Sequence, residues 1–387
     1  MSLQSALELI VGVDLGFTCT GVAFCTSERT YPKIVYEWPQ SKVGLGQETS
    51  VYKVPTRVSY RAGREGFSWG FQCPLPGEAK HETSVKEHFK LYLDPEYLER
   101  AFKGDPDLAP GTIKDVQNWF RDFFSELCKH IECYFSDMFP EEWETGKVEY
   151  IFSVPTTWKK KPVIENFEEI VKKAGFGSKK NHSVTIGLSE AEAAAIYTAM
   201  YPSEHCMINK PEVGTEKDHR AALDAGTTTY EDVCVLEVKS TKGSPIELEQ
   251  LSHVKGKPIG SVQIDNTFKG ITEQRLNLIR DRLRNLELPV MPKKAARQMA
   301  QAGFQHHKVM CGMALTALET APVRVPDLPS DFDSDQAEDI EGMFKEQIDG
   351  IAKLIDKQIA GLKKDCPSKE LVREHPLGGS HTYRDQG

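Results

Sequence analysis

The sequence lacks paired cysteines and long apolar runs. Its nine cysteines are spaced singly along the chain, their number is odd, and no two form a Cys-x-x-Cys motif. This usage predicts reduced thiols, as in a cytosolic protein. No stretch of about 18 apolar residues occurs, and the N-terminus has no basic segment followed by an apolar one. We therefore predict a cytoplasmic location, with neither secretion nor a membrane span.

An excess of basic residues is also missing. The chain carries 57 acidic against 48 basic side chains, a formal net charge of −9. This balance argues against a nucleic-acid partner, because phosphate contacts need a basic face. The 387 residues, 39% hydrophobic and 27% charged, suffice for two domains or one bilobal unit of a soluble α/β protein.

Alternating strands and amphipathic helices are what the sequence does contain. Residues 9–24 predict a strand, a tight turn and a second strand. Apolar residues at three- and four-residue steps predict long helices over 113–138 and near 340–362. Pro162 and Gly175 predict the start and end of another helix, and Ser189 with Glu192 has the spacing of a capping box.

An Asp-x-Gly turn between two strands occurs twice, in VGVDLGFTCTGVAF and in AALDAGTTTYEDVCVLEV. Asp14 and Asp224 are 210 positions apart, which suggests two halves that are each built around the same strand–turn–strand motif. A carboxylate at the end of a buried strand is costly unless a cation or hydrogen-bond donors satisfy it. Turns of this kind either cradle phosphate oxygens with their backbone N–H groups or form ordinary β-hairpins, and the residues alone leave both alternatives open.

Four elements in order resemble the heat-shock protein 70 type of actin-like ATPase, and more closely its divergent branch without the usual peptide-binding domain. These are the first turn, the segment SVPTTW, the segment SEAEAAAIYTAM and the second turn DAGTTTYED. The late stretch LGGSHTYRDQ is similar to the adenosine-binding turn of that family. The resemblance covers nearly the whole chain.

The resemblance implies a bilobal α/β fold of duplicated ribonuclease H-like domains, incomplete at its C-terminus. Residues 1–200 would form the first lobe and residues 201–387 the second, with a helical insertion near 265–325. ATP or ADP with Mg²⁺ would bind between the lobes, and closure of the cleft would couple to hydrolysis. Client or co-chaperone proteins are the implied partners.

The resemblance also assigns roles to individual residues. Asp14 and Asp224 would order the water shell of Mg²⁺, and Glu190 with Asp224 would position the attacking water. The remaining nucleotide-binding residues would be Gly16, Thr18, Gly226, Thr229, Gly378, Gly379 and Ser380. A lysine is also expected in the first lobe, and Lys80 is the residue considered for it.

The sequence departs from the family pattern at several points. Phe17 replaces a hydroxyl residue and is expected to place a bulky ring beside the phosphates. Thr227 and Thr228 replace glycines whose backbone freedom lets the loop approach a phosphate. Charged residues and a proline at 373–376 interrupt the apolar strand expected before the adenosine turn, so that wall of the site is expected to be misshapen.

Several functions remain open on these observations. The favoured one is an ATP-binding, chaperone-like protein with slow hydrolysis. The second is a non-catalytic interaction scaffold that keeps the fold without productive nucleotide chemistry. The third, a small-molecule kinase on the same fold, lacks a recognisable substrate-binding motif.

The first prediction concerns the second turn. Replacing Thr227 and Thr228 together by glycine should tighten nucleotide binding, because β-branched residues resist the positive φ that glycine adopts there. A strain of about 1–3 kcal/mol per residue corresponds to about a five- to hundredfold change in affinity, measurable by calorimetric titration. Unchanged affinity would show that the loop already accommodates both threonines.

Overall fold

The computed structural model describes most of the first half of the chain and parts of the second. The described residues are 7–27, 29–40, 52–63, 65–74, 83–104, 110–155, 158, 160–200, 219–224, 231–238, 248–251, 255–257, 259–279, 291–301, 304, 337–365, 367 and 373–377. They form a mixed α/β fold, as the sequence predicts. The chain divides into two compact units, residues 1–197 and 198–387, and each is described by itself.

The described part of the first unit contains nine strands. They are β1 (Glu8–Leu15), β2 (Cys19–Thr26), β3 (Arg29–Ile34), β4 (Lys53–Pro55), β5 (Arg57–Arg61), β6 (Phe67–Trp69), β7 (Thr83–Glu87), β8 (Lys147–Val154) and β9 (His182–Ser189). Six of them form a sheet in the order β3-β2-β1-β8-β9, with β4 paired to β2, and the other three form a sheet in the order β6-β5-β7. The predicted strand–turn–strand of residues 9–24 is confirmed as the antiparallel pair β1–β2.

Where the structure describes this unit, the helices are α1 (Pro95–Gly104), α2 (Ile113–Met138), α3 (Lys161–Lys173) and α4 (Glu190–Met200). The bounds of α2 are those that the apolar spacing predicts. Pro162 lies in the first turn of α3, and Gly175 follows its end with a φ of 115°, as the sequence predicts.

The capping box of α4 is also confirmed. The backbone N–H of Ser189 donates to Glu192 Oε2 at 2.9 Å, and the N–H of Glu192 donates to Ser189 Oγ at 3.2 Å. These two bonds satisfy backbone donors at the start of α4 and fix where the helix begins.

Aromatic side chains dominate the core of the first unit. Phe120, Phe123 and Phe124 of α2 are buried. The ring of Phe124 lies 5.6 Å from that of Phe152 on β8 and 5.7 Å from that of Phe167 on α3, both edge-on. Such edge-to-face pairs add to the free energy gained by burying the rings. This core fixes the side of the large sheet on which α2 and α3 lie.

The second unit repeats one strand arrangement of the first. Its strands are β10 (His219–Asp224), β11 (Glu231–Val238), β12 (Leu248–Gln250), β13 (Lys255–Lys257) and β14 (Arg373–Leu377). Strand β10 pairs antiparallel with β11 and parallel with β14, just as β1 pairs antiparallel with β2 and parallel with β8. The two Asp-x-Gly sequences therefore follow strands with the same kinds of neighbours.

Charged residues and Pro376 interrupt the apolar pattern before residue 378, but they do not prevent a strand from forming; residues 378–380, where the sequence predicts a misshapen wall, lie outside the described residues. Residues Arg373–Leu377 form β14, which pairs with β10 in the register Pro376 to Leu223. Strand pairing uses backbone groups, which charged side chains do not remove. In the order found among the described strands, β12-β11-β10-β14, β14 lies at an end, where a proline is tolerated.

The helices among the described residues of the second unit are α5 (Ser261–Leu278), α6 (Pro292–Gln301) and α7 (Ala337–Asp365). Helix α7 extends slightly beyond the long C-terminal helix predicted near 340–362. A small core joins the three helices through Phe268, Met299 and Met343, and the ring of Phe268 stacks on that of Phe304 at 4.0 Å. Within the described ranges, none of the helices is both long and apolar enough to cross a membrane.

The aromatic core of the first unit gives a stability prediction. Replacing Phe124 by alanine should lower the free energy of unfolding of this unit by about 3–5 kcal/mol, because the truncation leaves a cavity among rings that cannot collapse into it. Phe102 on α1 is the matched control, since its side chain is 49% exposed. Denaturant titration of both variants tests this, and equal losses for the two would contradict the packing described here.

Candidate functional site

The carboxylate of Asp14 lies on the more open face of β1. Along this strand Leu9, Val11, Val13 and Leu15 are buried, whereas Asp14 belongs to the alternate set of positions. Its side chain is 47% exposed and accepts a hydrogen bond from Lys53 Nζ at 2.9 Å. Because alternate residues of β1 face opposite sides of the sheet, Asp14 keeps its carboxylate partly exposed while the apolar residues beside it are buried.

The turn after Asp14 is tight and depends on Gly16. A Cβ added at Gly16 would lie 2.1 Å from the carbonyl oxygen of Cys19, so any side chain there would force the turn to open. The carbonyl of Thr18 accepts a hydrogen bond from the backbone N–H of Thr56 at 2.8 Å, and the buried hydroxyls of Thr20 and Thr56 are 2.8 Å apart. These contacts tie the turn to the segment that follows β4.

Phe17 is buried within this turn. Its side chain is 5% exposed, and its ring stacks on that of His88 with centroids 4.8 Å apart and an angle of 8° between the planes. The ring therefore packs into the unit instead of projecting from the loop.

His88 lies at a bend in the chain directly after β7. Its φ of 60° lies in the left-handed region that non-glycine residues seldom adopt. The next residue, Phe89, is buried, and its ring lies 5.0 Å from that of Phe120 on α2. With Phe89 held in the core, the 3₁₀ turn that follows begins at Lys90.

Lys90 and Glu190 form a buried ion pair. The side chain of Lys90 is 2% exposed and that of Glu190 is 16% exposed, and Lys90 Nζ donates to Glu190 Oε1. Glu190 is the first residue of α4, where the positive end of the helix dipole also favours a carboxylate. A buried ammonium requires such a partner, since desolvation of an unpaired charge is costly.

The two ion pairs belong to one charged cluster. Burial by itself lowers the pKa of Lys53, but the charge of Asp14, its hydrogen bond with Lys53 and the charge of Glu190 outweigh this effect and raise that pKa overall. The pKa of Lys53 therefore depends on the carboxylates of both ion pairs. We call Asp14, Lys53, Lys90 and Glu190 the charged cluster; its formal charges balance.

Cys19 adds no nucleophile to this cluster. Burial raises the pKa of its thiol, and the opposing effects of the hydrogen bond with Thr18 and of the nearby Lys53 and Arg57 do not overcome it. Because the thiolate is the reactive form, this cysteine behaves as a small half-buried side chain.

The structure places only some of the predicted site residues. Asp14, Gly16, Thr18 and Glu190 lie in the first unit as described above. Asp224 is the last residue of β10, in the second unit, and only the position of its backbone is described. Gly226, Thr227, Thr228, Thr229, Gly378, Gly379, Ser380 and Lys80 lie outside the described residues.

Lys90 and Lys53 are the two site residues that sequence reasoning missed. A lysine inside the run HFKLYL is the signal that could have pointed to Lys90, because an ammonium group among apolar residues needs a partner. Lys53 lies on a three-residue strand after a polar stretch, and nothing in its local sequence indicates a contact with Asp14.

Comparison with known proteins supports a relationship to the heat-shock protein 70 type. The sequence matches no family model. It is similar to the human protein Heat shock 70 kDa protein 12A, with 27% identity over 210 residues. That match covers 51% of this chain and 29% of the relative, so the chain spans less than a third of the relative's length.

The ion pair of Lys90 and Glu190 gives the third prediction. Replacing Lys90 by methionine should destabilise the first unit by about 3–5 kcal/mol, because Glu190 is left as a largely buried charge without this partner. Adding Glu190→Gln to that variant should recover part of the loss, as a double-mutant cycle would show.

The matched control is Lys172→Met on α3, whose ammonium lies 2.6 Å from Glu168 Oε1 in an exposed i,i+4 pair. Exposed helix pairs of this type contribute about 0.3–0.5 kcal/mol. If denaturant titration gives Lys90→Met a loss no larger than that of Lys172→Met, the buried pair does not stabilise the unit as described.

Proposed function

We propose that this chain is an ATP- and ADP-binding protein of the heat-shock protein 70-like type, with slow hydrolysis and a chaperone-like role. Its fold on this proposal is the bilobal, actin-like one, with residues 1–200 and 201–387 as the two lobes and the nucleotide between them. The observation that carries the proposal is the charged cluster beside the tight turn of residues 16–18. The similarity to Heat shock 70 kDa protein 12A supports the same proposal.

The turn supplies what a phosphate needs on the first lobe. Successive backbone N–H groups in a tight turn form a concavity that attracts anions, and Thr18 adds a hydroxyl. Lys90 provides a positive charge at a fixed position, because Glu190 and the packing of Phe89 hold it in place. Fixed charges of this kind stabilise phosphoryl oxygens without reorganisation when the ligand binds.

Glu190 is proposed to position the water that attacks the terminal phosphate, together with Asp224 of the other lobe. Its carboxylate, which is paired with Lys90, can accept a hydrogen bond from water. The second lobe is proposed to contribute Gly226, Thr229 and the turn of Gly378, Gly379 and Ser380, the last bordering the adenosine.

The family resemblance implies Mg²⁺ ordered through water by Asp14 and Asp224. Asp14 fits that role poorly here, because Lys53 already donates a hydrogen bond to its Oδ2 atom. Among the residues described, no group of three or more histidine, cysteine, aspartate or glutamate side chains is placed to hold a metal ion.

The alternative is an interaction scaffold that has kept the fold but no productive nucleotide chemistry. The changes at Phe17, Thr227 and Thr228 favour it, since each removes a feature that the family uses at its phosphate loops. Nucleotide binding separates the two proposals, because the scaffold needs none.

The fourth prediction is a nucleotide-dependent rise in thermal stability. A ligand at 100 times its dissociation constant should stabilise the folded chain by about 2.7 kcal/mol, for ATP and for ADP alike. Thr18→Val, which keeps the shape of the side chain and removes its hydroxyl, should reduce this shift. Thermal unfolding at increasing nucleotide concentration measures it.

Thr145→Val is the matched control, since Thr145 lies on an exposed turn after α2 and its hydroxyl donates only to the carbonyl of Glu142 among the contacts found. It should leave the shift unchanged. The absence of a shift in the unaltered chain at saturating nucleotide would reject the nucleotide-binding function in favour of the scaffold.

A further inference from the structure

Asp14, Gly21 and Lys53 form one row across three strands. The β1–β2 register pairs Asp14 with Gly21, and the β2–β4 register pairs Gly21 with Lys53. Residues paired directly across strands present their side chains on the same face of a sheet. The pairing of the strands therefore brings Asp14 and Lys53 to the same face, two strands apart.

Gly21 leaves the space that lets Lys53 cross this distance. A Cβ added at Gly21 would lie 3.3 Å from Lys53 Cε and 3.5 Å from Lys53 Cγ. The aliphatic part of Lys53 thus extends over the glycine, and its ammonium group reaches Asp14 Oδ2 at 2.9 Å. The contact follows from strand register and from the absence of a side chain between the two residues.

The ammonium group of Lys53 disfavours an additional cation at Asp14. A divalent cation at Asp14 would lie beside the ammonium group of Lys53, and like charges at such short range repel. A phosphate group would instead find the ammonium group of Lys53, whose side chain is 52% exposed, whereas Lys90 is buried against Glu190. Lysine is a common phosphate-binding residue because its ammonium acts as a compact charge with three donors.

We propose that Lys53 takes the charge-neutralising place of the divalent cation, so that this chain binds nucleotide phosphates without Mg²⁺. This inference rests on the proposed nucleotide-binding function and adds to it the cation requirement of the site. Lys53 would contact phosphate oxygens directly while Asp14 holds its ammonium group in position.

The fifth prediction is that the unaltered chain binds ATP about equally well with and without Mg²⁺. Calorimetric titration of the full chain with ATP, once with excess EDTA and once with excess Mg²⁺, tests it. For the unaltered chain the two dissociation constants should agree within about threefold, and for Lys53→Met binding in EDTA should weaken by at least about tenfold relative to binding with Mg²⁺. Lys53→Arg keeps the positive charge and should retain binding in EDTA.

Lys33→Met is the control, because Lys33 is an exposed lysine on β3 of the same sheet. It should behave as the unaltered chain does, which excludes a general effect of lost positive charge. Intrinsic fluorescence and thermal unfolding of each variant establish that it is folded.

The outcomes separate the inference from the proposed function. If the unaltered chain binds ATP only with Mg²⁺, the inference is overturned and the nucleotide-binding function stands. Equal cation dependence of Lys53→Met and the unaltered chain also overturns it. If ATP binds under neither condition, the proposed function fails, and the inference fails with it.

Discussion

The ion pair of Lys90 and Glu190 is the constraint on which the candidate site depends. It joins a segment beneath α2 to the first residue of α4, across 100 positions of the sequence. Lys90 is held within the unit because Phe89 beside it packs against the rings of α2. An ammonium at this depth is tolerated only with its carboxylate, so the position of α4 and the path of the chain after β7 are coupled.

Elements with local signals could be predicted from the sequence. Helix α2 is predicted by apolar residues at helical spacing, and α3 is predicted by Pro162 and Gly175. The start of α4 is predicted by the capping-box spacing of Ser189 and Glu192, whose hydrogen bonds the structure shows. Each signal lies within a few residues of the structure it determines. The β1–β2 pair follows in the same way from a short turn between two apolar runs.

The contacts that define the candidate site could not be predicted in this way. Lys53 reaches Asp14 only because two strand registers place Gly21 between them, and neither register is encoded near Lys53. Lys90 has its partner 100 positions away. Strand β14 shows the converse case: its charged residues argue against a strand, yet backbone pairing with β10 forms one.

The stacking of Phe17 on His88 has a consequence for the energetics of ligand binding. A loop that orders only when its ligand arrives subtracts the lost conformational entropy from the affinity. Here an aromatic contact with centroids 4.8 Å apart orders the turn as part of folding. A ligand that bound beside this turn would therefore not have to order it, and the corresponding entropy would not be subtracted from its affinity.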